Sequence, residues 1–326
     1  MSDPDGMRVL VGYAPDDRGD DALALGARFV RAAEGSLTVA NVHPPAWPAR
    51  GPGSVDAEWV SYLRERSDAA LDQALDHLYP LSLRDGVTRR VHAHRGSGRG
   101  LIEVARDTGA GLIVIGSAPR GRRGRIAIGS TADQLLHGSP VPVLLAPRGY
   151  AEEAPPRFER LTIAYWRHRD AGGPLASAAG FARVLGLPIR LLTLVLRPPG
   201  LAARFRGADE LMARQLAQAE EGLAQAAALF TDDPDGQAGG SGAGGAGGLG
   251  KAAVETEAVV GTGVTAALGS CDMLPGEVLA CLSSNDGPLR KVFLGEGSGK
   301  IVRAAPCPVL VLPRGAVPSL PSEAQG

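Results

Sequence analysis

The sequence predicts an α/β protein of two similar halves, each a mostly parallel five-stranded sheet flanked by helices, and three observations predict it. The first is internal repetition. "VPVLLAPRG", Val141 to Gly149, returns as "CPVLVLPRG" from Cys307 to Gly315, 166 residues further on. The same offset sets Gly129 on Gly295 and Gly121 on Gly287, and "RVLVGY" from Arg8 is matched by "RLTIAY" from Arg160 at an offset of 152. The second is the alternation of short β-branched runs with helix-period segments, which implies right-handed crossovers and a sheet covered on both faces. The third is size: 326 residues, 44% of them apolar, are about twice the usual single-domain length and fill real cores.

In the first half the elements read in order as βαβαβαβαβ. "MRVLVGY", "SLTVANV", "VTRRVHAH", "GLIVIGS" and "VPVLLAP" are strand-sized runs rich in Val, Ile and Leu. Between them the segments Asp20 to Ala33, Ala57 to His77, Gly100 to Thr108 and Ser130 to His137 carry the helical period. The connector "YAEEAPPRFE" is polar and proline-bearing, as linkers are, which divides the chain into residues 1–150 and 151–326. The second half repeats the pattern with about 14 extra residues between the two offsets. "GQAGGSGAGGAGGLG", Gly236 to Gly250, accounts for them as a flexible insertion that cannot bury a core. The amphipathic segment "AARFRGADELMARQLAQAEEGLAQAAALF" is expected to pack on the sheet.

Sheets of this class bind ligands beyond the carboxyl ends of their strands, and "GSAPRGRRGRIAIGST", Gly116 to Thr131, leaves such an end. Gly129, Ser130 and Thr131 stand at a helix start, where backbone N–H groups welcome an anion. Arg120, Arg122, Arg123 and Arg125 add positive charge in forks that suit phosphate. A plainer reading stands beside this one. Ser130-x-x-Asp133 fits a capping box, and an arginine run is also what a solvated loop carries.

The order "LIVIGS", a glycine- and arginine-rich loop, "IAIGST", a short helix and "SPVPVLLAP" resembles the closing half of a universal stress protein domain. "KVFLGEGSGKIVRAAPCPVLVLP" in the second half resembles the same family, so the resemblance covers nearly the whole chain as a tandem pair. It implies Rossmann-like domains of the adenine nucleotide alpha hydrolase type, often dimeric, one branch of which binds ATP through G-x-x-G, nine residues, then G-[S/T]. Carried onto this sequence, Gly116 is the first glycine, Gly129 the third and Ser130 the hydroxyl; Ser117, Arg120 and Thr131 complete the expected nucleotide-binding set. The second glycine falls on Pro119, which has no N–H to give, and one lost hydrogen bond to a charged group costs about 1.5–3 kcal/mol. The acid that the ATP-binding branch carries after its first strand falls on Ala14, with Asp16 and Asp17 two and three positions later.

In the second half Gly116 corresponds to Leu282, Pro119 to Asn285 and Ser130 to Glu296, leaving only Gly295 of the core motif. A carboxylate about 4 Å from a phosphate repels it by about 4 kcal/mol at an effective dielectric near 20, so any nucleotide is expected in the first half. The resemblance also implies that "VPVLLAP" and "CPVLVLP" pair as the last strands of two domains do, giving an internal pseudo-dimer that leaves no apolar edge bare. Two functions remain open at this point. One is a nucleotide-binding regulatory stress protein holding ATP or a relative, with at most slow hydrolysis. The other is an interaction protein that has kept the fold and lost the site, acting on protein partners or as a further homodimer.

Composition excludes other classes. With 34 Lys and Arg against 35 Asp and Glu, the chain has no global attraction to nucleic acid or to an anionic membrane. "MSDPDGMRVLVGY" reads as neither a signal peptide nor a membrane span, and later apolar runs such as "LLTLVL" are strand-sized. Three cysteines without a CxxC pair argue against a disulfide framework or zinc site and fit a reducing cytoplasm. Cys281 and Cys307 lie in apolar runs and are expected as buried small hydrophobes. His92 and His94 share one strand face, either as exposed histidines or as a metal pair with no third ligand in view. No nucleophile arrangement is recognisable, so no catalytic residue is expected.

Overall fold

The computed structural model describes residues 6–45, 55–79, 83, 86–165, 172–197, 207–231, 254–282 and 296–313. The first half comprises β1 (Arg8–Gly12), α1 (Asp17–Ala32), β2 (Ser36–His43), α2 (Val55–Leu78), β3 (Thr88–Ala93), α3 (Ser97–Thr108), β4 (Leu112–Gly116), α4 (Ser130–Leu136) and β5 (Val143–Ala146). A short α5 (Tyr150–Glu153) leads to β6 (Arg160–Ala164), α6 (Gly172–Leu185), β7 (Ile189–Leu196), α7 (Ala208–Thr231), β8 (Glu255–Gly261), α8 (Val264–Ser270), β9 (Glu277–Leu282), α9 (Glu296–Ala304) and β10 (Val309–Leu312).

The ten strands of the described residues form one sheet in the order β3-β2-β1-β4-β5-β10-β9-β6-β7-β8. Each half has the same order of five parallel strands, and β5 pairs antiparallel with β10 to join them. Leu144 faces Leu310 and its neighbours pair Val143 with Val311 and Leu145 with Val309, so residues related by the 166-residue offset meet about an approximate two-fold axis. The expected pairing of the two last strands is therefore present within one chain.

The strands read as continuous apolar runs because both faces of the sheet are covered. On one face Val9, Val11 and Leu37 pack under Phe29, Leu71 and Phe181 of the helices; on the other Leu10, Ile113 and Ile115 pack under Leu101, Leu135 and Leu136. Both layers run on into the second half, and Phe29 of α1 meets Phe158 and Phe181 edge-on at ring centroids 6.4 and 6.1 Å apart.

The segment that reads as a polar linker is docked on the fold at both ends. Tyr150 and Phe158 are buried at either end of it, and the buried carboxylate of Asp21 accepts the N–H groups of Gly149 and Ala151, both at 2.8 Å. Two aromatic anchors in ten residues suffice to dock a segment whose other side chains are exposed or only half-buried.

The sequence also conceals an ion cluster at the amino ends of β6 to β9. Glu277, wholly buried, accepts from Arg160 at 2.9 Å, from Arg190 at 3.0 Å, from the Leu274 N–H at 3.0 Å and from the Thr162 hydroxyl. Arg160 and Arg190 in turn reach Glu255 and Glu257 of β8. The charges tie four neighbouring strands in register.

Cys281 and Cys307 are buried as expected, and burial pushes the Cys281 thiol up to about 12 and raises Cys307 likewise. The helix expected over 202–230 is α7, which buries Met212, Leu223 and Ala226; residues 202–206 and the Gly236–Gly250 insertion lie outside the described residues. Among the described residues no helix is long and apolar enough to cross a membrane.

Candidate functional site

The strand order reverses between β1 and β4, and the crevice beyond their carboxyl ends is the place where such sheets bind ligands. β1 ends at Gly12 and β4 at Gly116, and a cleft of about 340 Å³ opens between them. Gly116 is there for close approach. A Cβ on it would lie 2.1 Å from the carbonyl oxygen of Arg18, and one on Gly19 would lie 1.8 Å from that of Ala14. The absence of side chains lets the β1–α1 turn press onto the end of β4.

Helix α1 begins at Asp17, three residues before the position that periodicity predicts. Asp16 is its N-cap, accepting the N–H groups of Arg18 and Gly19 at 3.1 and 3.2 Å, and it pairs with the Arg18 guanidinium. Burial acts to raise the Asp16 carboxyl, while the Arg18 side chain and the two N–H donors outweigh it and hold the group below its ordinary 3.8. Arg18, its guanidinium paired with Asp16, is the charged residue in the lining of the cleft among the described residues, and no acidic residue is part of that lining. Sequence reasoning missed Arg18. Its signal was the Asp16-x-x-Gly19 cap directly after the first strand.

Ser117 is buried, and its hydroxyl is committed. It accepts the Ala127 N–H at 2.8 Å and donates to the Ala118 carbonyl at 3.2 Å, while the Ala118 N–H donates to Ala127 at 2.9 Å. The next four residues form a tight turn closed by the Gly121 N–H on the Ala118 carbonyl at 3.0 Å. Pro119 occupies the second turn position, where its fixed φ is suited, so proline closes the loop at the point where the family motif has glycine. Arg120, the next residue, is exposed on that turn and stands outside the lining of the cleft.

The arginine run does not converge on the cleft. Arg123 forks onto Glu152 and Glu153 of α5 at 2.7 and 2.9 Å, and Arg125 bonds the Gly124 carbonyl at 3.1 Å. Arg148, two residues beyond β5, anchors the loop through its side chain on the Gly121 carbonyl at 2.9 Å.

Gly129 is the N-cap of α4 and Ser130 its first residue, so the capping box predicted from Ser130 and Asp133 is not formed. The Asp133 carboxylate lies instead 3.4 Å from Nδ1 of His137, and its N–H bonds the Gly129 carbonyl at 2.8 Å. The cap falls one residue earlier because Gly129 is the last extended residue before the helix. Ser130, exposed, and Thr131, half-buried, line the cleft with Gly129. Ser97 at the start of α3 lines it too, so the amino ends of α1, α3 and α4 all face one space. Val42, Leu101 and Ile115 form its apolar wall, and Tyr13 and Asn41 stand beside them. The arrangement suits an anionic molecule with an apolar body.

The second half departs from this plan. Leu282 ends β9 as Gly116 ends β4, and Glu296 begins α9 as Ser130 begins α4, while Asn285 and Gly295 lie outside the described residues. His92 and His94 are half-buried rather than exposed and flank Glu103 of α3, with Nε2 atoms 2.7 and 3.8 Å from its oxygens. Among the described residues no group of three His, Cys, Asp or Glu is placed to hold a metal ion.

The model of the universal stress protein family matches residues 7–147. A universal stress protein of Mycobacterium tuberculosis is 34% identical over 314 residues, which cover 94% of this chain and 100% of that protein, and one of Mycobacterium bovis matches equally. The crystal structure of a universal stress protein from Archaeoglobus fulgidus shares the fold at a TM-score of 0.59 and 15% identity, covering 96% of this chain and 100% of that one. A match that spans the relatives from end to end includes the second half as well as the first, and the chain belongs to the universal stress protein family.

Proposed function

We propose that this protein is a nucleotide-binding regulatory stress protein, with ATP or a related adenine nucleotide held in the cleft of the first half. The observation that carries the reading is the convergence of the amino ends of α3 and α4 on a space with an apolar wall, with Arg18, paired to Asp16, in its lining. Phosphates would be held by Gly129, Ser130 and Thr131 together with Arg18, and the base would lie toward Val42 and Leu101. Ser117 acts in this reading by holding the loop closed, and Arg120 by its charge near the entrance. Residues 1–150 and 151–326 act as two universal stress protein domains packed as an internal pseudo-dimer. The second keeps the fold and carries the glycine-rich insertion of Gly236 to Gly250. A cytoplasmic protein without catalytic residues, capable of joining protein partners or a further copy of itself, fits this role.

A second reading, an interaction protein without nucleotide, is favoured by Pro119 closing its turn and by Ala14 standing where the binding branch has an acid. Isothermal titration of ATP, AMP and cyclic AMP into the purified chain and into Ser130→Glu separates the two. Ser130 is exposed and caps nothing, and a first-turn acid suits a helix, so the variant folds. One ATP per chain, weakened by about a thousandfold in the variant, supports the nucleotide site. No heat at tens of micromolar supports the interaction protein.

A further inference from the structure

A second groove, of about 700 Å³, lies away from the cleft, where the two halves meet. Its walls are the last turns of α1 with Arg28 and Arg31, the connector residues Arg157 to Glu159, and the end of α6 with the turn Gly186–Leu187. Arg28, Arg31 and Arg157 are in its lining, and the one acidic residue there, Glu159, already accepts the Gly276 N–H at 2.8 Å.

Arg28 carries the argument. Its Nε and Nη1 are buried and have no hydrogen-bond partner, and the same holds for the hydroxyl of Tyr150, on which the charge of Arg28 acts. Buried donors on an ionised group are costly when unmatched, and native structures pair nearly all of them. Arg28 and Arg31, three apart on one helix face, also complement the carboxyl end of α1, but that accounts for neither the buried donors nor Arg157, which comes from the connector. Guanidinium forks brought to one groove from α1 and the connector suit the several oxygens and double charge of a phosphate group, which a single carboxylate does not match.

We propose that this groove is a second binding site, for a small phosphate-bearing molecule held by Arg28, Arg31 and Arg157. Its walls come from both halves, so the ligand fastens α1 to the connector and α6, and binding stabilises their packing.

Inorganic phosphate and pyrophosphate, titrated into the full chain carrying Ser130→Glu to disable the first cleft, test the site by calorimetry and thermal unfolding. Chloride at matched ionic strength is the reference. One pyrophosphate per chain and a melting temperature raised above the chloride reference are expected. Arg28→Gln and Arg157→Gln are each expected to weaken binding by about tenfold or more. Stabilisation no greater than that by chloride, or undiminished binding in both variants, overturns the proposal. Arg157 is exposed, so its variant decides the matter if Arg28→Gln does not fold. With Ser130→Glu in every sample, a failure here is distinct from a failure of the nucleotide site.

Discussion

Gly116→Ala distinguishes a glycine that serves a ligand from one that serves the fold. Its added Cβ would sit 2.1 Å from the Arg18 carbonyl oxygen, 2.8 Å from the carbonyl carbon and 3.1 Å from Cα, all backbone of the first turn of α1. Ordinary carbon–oxygen contacts are roughly 3.3–3.6 Å, so the turn must retreat by about 1.2 Å or more. No flexible side chain can yield in its place. Overpacking of this kind costs about 1–3 kcal/mol, which for a chain of this length lowers the melting temperature by about 1.5–4.5 °C. Thermal unfolding by circular dichroism, without nucleotide, measures it. The retreat also carries Arg18 away from the cleft, so any ATP affinity falls together with stability. A melting temperature unchanged in the nucleotide-free protein would refute the reasoning, because a glycine needed only by phosphate leaves the unliganded fold untouched.

Glu277→Gln keeps one acceptor oxygen but removes the buried negative charge between Arg160 and Arg190 and is expected to cost about 3–5 kcal/mol, since both guanidinium groups lose their shared counter-charge; a loss under about 1 kcal/mol in urea unfolding would contradict it. Asp16→Asn keeps an N-cap oxygen but loses the ion pair with Arg18, a half-exposed contact of modest worth. The Asp16 carboxyl is held below its ordinary 3.8 in the folded state, so its contribution is fully present above that value and is lost as pH falls through the lower, folded one. The stability gap between wild type and Asp16→Asn is therefore expected to be constant near neutrality and to close below about pH 4; a gap that widens in acid would overturn the assignment.

Local pattern was enough for the sequence alone to determine the skeleton. Alternating strand and helix periods placed the nine elements before the connector, and the 166-residue offset matched the two last strands, whose pairing, seen about Leu144 and Leu310, the family resemblance implied. The loop from Gly116 to Thr131 was legible as a strand-end loop entering a helix, because glycine, proline and helix-start residues act through the backbone of their own neighbours. Partners distant in sequence were not legible. Arg123 finds Glu152 and Glu153, Asp21 finds Gly149 and Ala151, and Arg160 and Arg190 find Glu277 only once strands and helices lie side by side. Only the tertiary structure decided that Arg18, rather than the arginine run, lines the cleft, and that Ser130 begins a helix without capping it. Periodicity is a property of a segment, whereas the direction and pairing of a charged side chain are set by what packs beside it.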